Sequence, residues 1–186
     1  MATGRSSQKV SSPIALDRQV IEQKALSYLD RFDASAARLR RVLEQFVRRR
    51  AKELCVDVAP YLGMIEETLS RYQASGLVND ERYGSAMART LAERGVSRKA
   101  IRNKLLVRGV RGEVVDTVVA ELGNAVGTEL DSARALVKKR RLGNYRPASE
   151  RKENYRRDLG VLARAGFDFA VAKQALSIEG VDDGDF

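Results

Sequence analysis

The chain has 186 residues, 34 Lys and Arg against 25 Asp and Glu for a net charge of +9, a pI of about 9.9, and a hydrophobic share of 44%. This suits one medium domain or a series of small units with a real core, and it points to a polyanionic partner, nucleic acid first and an anionic membrane surface second. With no His and a single Cys, the chain excludes His general bases, Ser–His–Asp and Cys–His nucleophile systems, His-ligated zinc, an internal disulfide and a thiolate metal cage.

In chain order, residues 1–16 read as a disordered basic arm. Ser6, Ser7, Ser11 and Ser12 alternate there with Gly4, Arg5 and Lys9, and no apolar centre of a signal peptide is present. A first helix is predicted from about Asp17 to Arg31, with Ala25, Leu26, Tyr28 and Leu29 as its apolar stripe. Asp33 or Ser35 caps a second, which carries Leu39, Val42, Leu43, Phe46 and Val47 and runs to about Leu54. Cys55 is expected to pack as a small apolar residue. Pro60 opens a third helix with Leu62, Ile65 and Leu69 on one face, closed by Gly76.

Asn79 or Asp80 caps the fourth helix, which bears Tyr83, Met87 and Leu91 and ends at Gly95. Ser97 caps the fifth, with Ile101, Leu105 and Leu106, ending at Gly109. Glu113 to Leu122 form the sixth, ending at Gly123; its valines, the one β-branched cluster of the chain, fall at helical spacing. Thr128 to about Lys139, Ser149 to Arg164 (ending at Gly166) and Asp168 to Ser177 complete the set, with a loop at Gly143 to Pro147 and an acidic tail from Glu179. No run approaches the ~18 apolar residues of a membrane span.

The elements group in threes. Ser97, Ile101 and Leu105 repeat the spacing of Ser35, Leu39 and Leu43, while Leu162, Gly166 and Phe167 repeat that of Leu105, Gly109 and Val110. Val171 and Ala175 then correspond to Val114 and Val118. The expected fold is therefore all-α: three tandem three-helix, helix-turn-helix-like units at 17–79, 80–125 and 126–178, stacked into an elongated curved body because a short triplet cannot bury its apolar face alone. Two positions depart from the repeat. No glycine ends the second helix of the first triplet, and Asp158 stands where an apolar residue is expected.

Gly76-Leu77-Val78-Asn79-Asp80-Glu81-Arg82-Tyr83, then Gly95-Val96-Ser97 with Ile101, Lys104, Leu105 and Gly109-Val110, then Ala133, Lys138, Lys139 and Arg164-Ala165-Gly166-Phe167 resemble, in order, the units of the RecX family. The resemblance covers roughly residues 20–178. It implies a modular helical protein that acts on RecA filaments, lies in the filament groove, interferes with strand exchange, ATP hydrolysis or filament growth in recombination and repair, and often binds DNA. It implies no catalytic site, no cofactor and no metal.

Three basic clusters fall one to a triplet. The first is Arg38, Arg40, Arg41, Arg48, Arg49, Arg50 and Lys52, in which Arg41, Arg48 and Lys52 share a helical face away from Leu39, Leu43 and Phe46. The second is Arg94, Arg98, Lys99, Arg102, Lys104, Arg108 and Arg111, and the third Lys138, Lys139, Arg140, Arg141, Arg151, Lys152, Arg156 and Arg157. Repeated at unit spacing, they are expected to line one concave surface that meets the RecA filament, single- or double-stranded DNA, or both. The bland reading is solvated faces with local ion pairs such as Glu44–Arg48 and Arg49–Glu53. Tyr145 and Tyr155 are candidates for base stacking.

Other readings stand beside this one. A sequence-specific helix-turn-helix protein would use Ser97–Val107 as its recognition helix, with Asn103 reading adenine. A metal-dependent nuclease would need Glu66-Glu67, Asp80-Glu81 or Asp182-Asp183 to converge, and a purely protein-binding scaffold would ignore DNA. Without a heptad seam or a span, the expectation is a monomeric, cytoplasmic, non-enzymatic regulator.

Overall fold

The computed structural model describes residues 15–125 and 128–176; the arm before residue 15, residues 126–127 and the acidic tail lie outside the described residues. The described residues are helical throughout, with no strand among them. Two compact units emerge. One holds the described residues up to Asp33 together with Arg38–Val78, and the other holds Ala34–Ala37 with the described residues from Asn79 on.

The first unit is built on α1 (Arg18–Leu29), α2 (Ala36–Leu54) and α3 (Ala59–Ala74). Asp17 caps α1 by accepting the Val20 N–H at 2.9 Å, and Pro60 sits in the first turn of α3, where a missing N–H removes no bond. Ile21, Ala25, Leu39, Leu43, Val47, Ala51, Ile65 and Leu69 are buried. The stripe expected on α1 is thus shifted: Ile21 and Ala25 face inward, while Leu26 is 50% exposed. Ion pairs between Arg18 and Glu67 and between Arg71 and Glu22 tie α1 to α3.

α2 runs two turns past the point where the repeat calls for glycine, and Val47 and Ala51 use those turns to add core layers. Cys55 does the glycine's work. Its φ is +55°, and the next N–H, of Val56, returns to the Ala51 carbonyl at 3.0 Å. The expectation that Cys55 packs inside is overturned: it is exposed, because the left-handed position after a helix points away from the buried stripe.

The second unit carries α4 (Asp80–Glu93), α5 (Arg98–Val107), α6 (Gly112–Ala125), α7 (Glu129–Arg140), α8 (Ala148–Arg164) and α9 (Phe169–Leu176). One core joins Ala88, Ile101, Leu105, Val110, Val115 and Val118. Another joins Ala133, Val137, Leu142, Leu162, Phe167 and Leu176. Gly95, Gly109 and Gly166 take φ of 77°, 85° and 90°, and Arg141 takes 53°. After each, an apolar residue returns its N–H into the helix: Val96 to Leu91, Val110 to Leu105, Leu142 to Val137 and Phe167 to Leu162, at 2.9–3.2 Å. α6 continues through Gly123, which does not end it as expected. The loop at Gly143 to Pro147 contains a 3-10 turn, Gly143–Tyr145.

A two-bond joint occurs twice in this unit. Before α5, Ser97 Oγ donates to the carbonyl of Ala165, just past α8, at 2.6 Å, and the Arg98 N–H donates to the Glu129 carboxylate at the start of α7 at 3.3 Å. Before α2, Ser35 Oγ donates to the carbonyl of Arg108, just past α5, at 2.7 Å, and the Ala36 N–H donates to the Asp80 carboxylate at the start of α4 at 2.8 Å. Each time a helix start, with its partial positive charge, receives a carboxylate from another helix. Asp80 therefore caps α2; it is Asn79 that caps α4, accepting the Arg82 N–H at 2.8 Å.

Candidate polyanion-binding surface

The cations of the three clusters are equivalent in the sequence and unequal in the structure. On α2, Arg41, Arg48, Arg49 and Lys52 are exposed on the side away from Leu39, Leu43 and Val47. Glu53 lies 2.7 Å from Arg50 and 3.9 Å from Arg49, and Arg40 pairs with Glu66 at 2.5 Å. Among the described residues Arg48 and Lys52 enter no ion pair, so the Glu44–Arg48 pair does not form.

On α5, Arg98 is half-buried, its side chain 4.0 Å from Glu129, and Arg102 lies 3.0 Å from Asp116. Lys99, Lys104 and Arg108 are exposed, the first two without an ion pair among the described residues. The first turn of α5 is occupied by the joint: Ser97 is fully buried, and the virtual Cβ of Gly166 comes within 2.7 Å of its Oγ.

In the third cluster, Lys138, Lys139 and Arg140 occupy the last turn of α7, where cations offset the negative helix end, and Arg141 follows in the left-handed conformation. Lys152, Arg156 and Arg157 are exposed on α8. Arg151 has another task. Its Nε donates to the Arg146 carbonyl and its Nη2 to the Asn144 carbonyl, both at 3.0 Å, so it staples the loop between α7 and α8. Tyr145 is half exposed in that loop, while Tyr155 packs on the core of the triplet.

Cluster counting missed Arg146. Its guanidinium holds both oxygens of Asp158 at 2.8 Å, and the Gly143 N–H adds a third bond at 2.9 Å. Asp158 is 1% exposed and takes the place that Leu39 and Ile101 fill in the other triplets. Burial raises its proton affinity, but the bonds from Arg146 and Gly143 and the charges of Arg146 and Arg157 outweigh it, so the carboxyl titrates below the ordinary aspartate value. The signal available beforehand was an acid at a core position of the repeat.

The acidic pairs are engaged singly. Glu66 faces Arg40, Glu67 faces Arg18 and Asp80 holds the start of α2. No three His, Cys, Asp or Glu side chains converge among the described residues. Asp182-Asp183 lies outside them.

The sequence model for the second three-helix domain of RecX matches residues 79–119, which span α4, α5 and the first half of α6. The regulatory protein RecX of Myxococcus xanthus (strain DK1622) is 39% identical over 157 residues, covering 84% of this chain and 83% of that protein. The regulatory protein RecX of Streptomyces coelicolor is 34% identical over 150 residues, covering 78% and 73%. The RecX of Streptomyces lividans matches to the same extent. With helical triplets repeating the same helix ends and joints, and relatives alike over most of both chains, this chain belongs to the RecX family of regulatory proteins.

Proposed function

We propose that the protein binds the RecA nucleoprotein filament, and DNA with it, as a cytoplasmic monomer, and inhibits the recombinase and its ATP hydrolysis. The observation that carries this reading is that the second helix of each triplet keeps exposed cations without an ion pair among the described residues: Arg48 and Lys52 on α2, Lys99 and Lys104 on α5, Lys152 and Arg156 on α8. Such side chains retain their full field for phosphates of DNA or carboxylates of a protein partner. The helix-turn-helix alternative is less well served. A recognition helix reads bases with its N-terminal residues, and the first turn of α5 is joined to α7 and α8 instead.

The test is single-stranded-DNA-dependent ATP hydrolysis by RecA of the same organism, with this protein titrated in. Inhibition well below the amount needed to coat the DNA supports direct action on the filament. An effect that appears only at saturation of the DNA, or none, overturns it. The combined charge removal at Lys99, Lys104, Lys152 and Arg156 should weaken binding and flatten its salt dependence, since each phosphate contact contributes a slope of about 0.7–0.9 in log K against log salt.

A further inference from the structure

Between α1 and α2 of the first unit lies an open groove of about 410 Å³, lined by Val20, Lys24 and Ser27 from α1 and Phe46, Arg49 and Arg50 from α2. Its size falls in the range of small-ligand sites, about 300–1,000 Å³. Phe46 belongs by spacing to the apolar stripe of α2, yet it is only half-buried, and the Lys24 ammonium stands 5.7 Å from its ring centroid. An aromatic face with an apolar neighbour, rimmed by Lys24, Arg49 and Arg50, of which the two arginines share the single carboxylate of Glu53, matches one ligand chemistry well: a flat ring joined to a phosphate.

We propose that this groove binds one nucleotide of a single strand, its base on Phe46 and Val20 and its phosphate held by Lys24 and Arg49. A base entering on the ring face takes the place of the ammonium, which then swings to the phosphate. A duplex keeps its bases stacked inward and offers nothing to the ring. An acidic peptide satisfies the cations but leaves the aromatic wall unfilled. The inference rests on the reading of the protein as a polyanion binder and adds to it a stacking site in the first triplet, which shares Arg49 and Arg50 with the first basic cluster.

The experiment measures binding of the full chain to a short fluorescein-labelled oligothymidylate, and to the same strand bearing 2-aminopurine. In Phe46→Leu the affinity is expected to drop about fivefold to tenfold and the quenching of 2-aminopurine to be lost, because leucine fills space but does not stack. The salt slope stays the same. In Lys24→Gln with Arg49→Gln the slope is expected to fall by about 0.7, one single-strand phosphate contact. If Phe46→Leu binds and quenches like the wild type, the groove is not the site, even if the RecA assay succeeds. If polyglutamate binding drops in Phe46→Leu as much as oligothymidylate binding, the groove is a peptide site and the nucleotide proposal is overturned. A wild-type protein that leaves the oligonucleotide unbound also overturns it, while the filament reading is judged separately by ATP hydrolysis. Should Phe46→Leu lose its thermal transition, the surface double variant decides alone.

Discussion

The ends of α2 and α8 carry the same backbone turn on different residues. After α8 the left-handed position is Gly166, with φ of 90°, and a Cβ there would lie 2.7 Å from Ser97 Oγ, the hydroxyl of the joint. After α2 the position is Cys55, exposed, with φ of 55°. Glycine at the first site answers two demands, a positive φ and a neighbour that leaves no room. At the second only the backbone asks for it, and an L-residue tolerates that strain for ~1–2 kcal/mol. A helix end can therefore be punctuation only, or punctuation and packing surface together, and residue type alone does not say which.

The largest effects should come where both demands meet. At Gly95 a Cβ would stand 2.7 Å from the Leu136 N and 2.9 Å from the Ser132 O, both backbone atoms of α7, at a φ of 77°. Gly95→Ala should cost roughly 3–5 kcal/mol in urea unfolding, strain and overpacking together. Gly166→Ala should cost less, because the obstacle is one side-chain hydroxyl and not backbone, and moving it gives up the Ser97 bond to the Ala165 carbonyl. Gly76→Ala is the reference, with a φ of 72° and nothing within 4 Å; it should report the backbone alone, about 1 kcal/mol. Equal losses at Gly76 and Gly95 would dissolve the distinction.

α8 also differs, from α2 and α5 alike, through its buried acid. Asp158→Leu leaves the Arg146 charge without its partner and should destabilise by roughly 3 kcal/mol. Adding Arg146→Met should recover most of the loss, because the position is apolar in the other triplets; failure to recover would mean that the Gly143 N–H bond, not the ion pair, fixes the loop. The pH dependence follows from the lowered carboxyl. Its stabilisation is complete above the unfolded value of about 3.9 and disappears as pH falls through the lower folded value. Acid titration followed by circular dichroism should show a stability loss below about pH 4 in the wild type that is smaller in the double variant.

The smallest effect should have the opposite sign. Cys55→Gly relieves a left-handed L-residue and should stabilise by about 0.5–1 kcal/mol, read as a higher urea midpoint at an unchanged slope. If it destabilises, Cys55 makes contacts that its exposure does not reveal.

Most helix limits were legible because their causes are local. Asp17, Asn79, Ser97 and Thr128 cap the helices that follow them, and Gly76, Gly95, Gly109 and Gly166 adopt the positive φ their places demand. The repeat of core positions was legible for the same reason: Leu39 with Ile101 and Leu43 with Leu105 are all fully buried, and spacing alone puts them on one face. The family was legible in the ordered set of these signals. What required tertiary structure is every assignment that pairs residues far apart in the chain. Asp80 reaches back 44 residues to cap α2, Ser97 reaches forward 68 to the end of α8, and which cations enter an ion pair depends on whether an acid such as Asp116 or Glu129 comes alongside from another helix. Local propensity fixes where helices begin and end, but the energy of a buried hydroxyl or carboxylate is set by the partner that packing delivers, and no spacing within one helix encodes that partner.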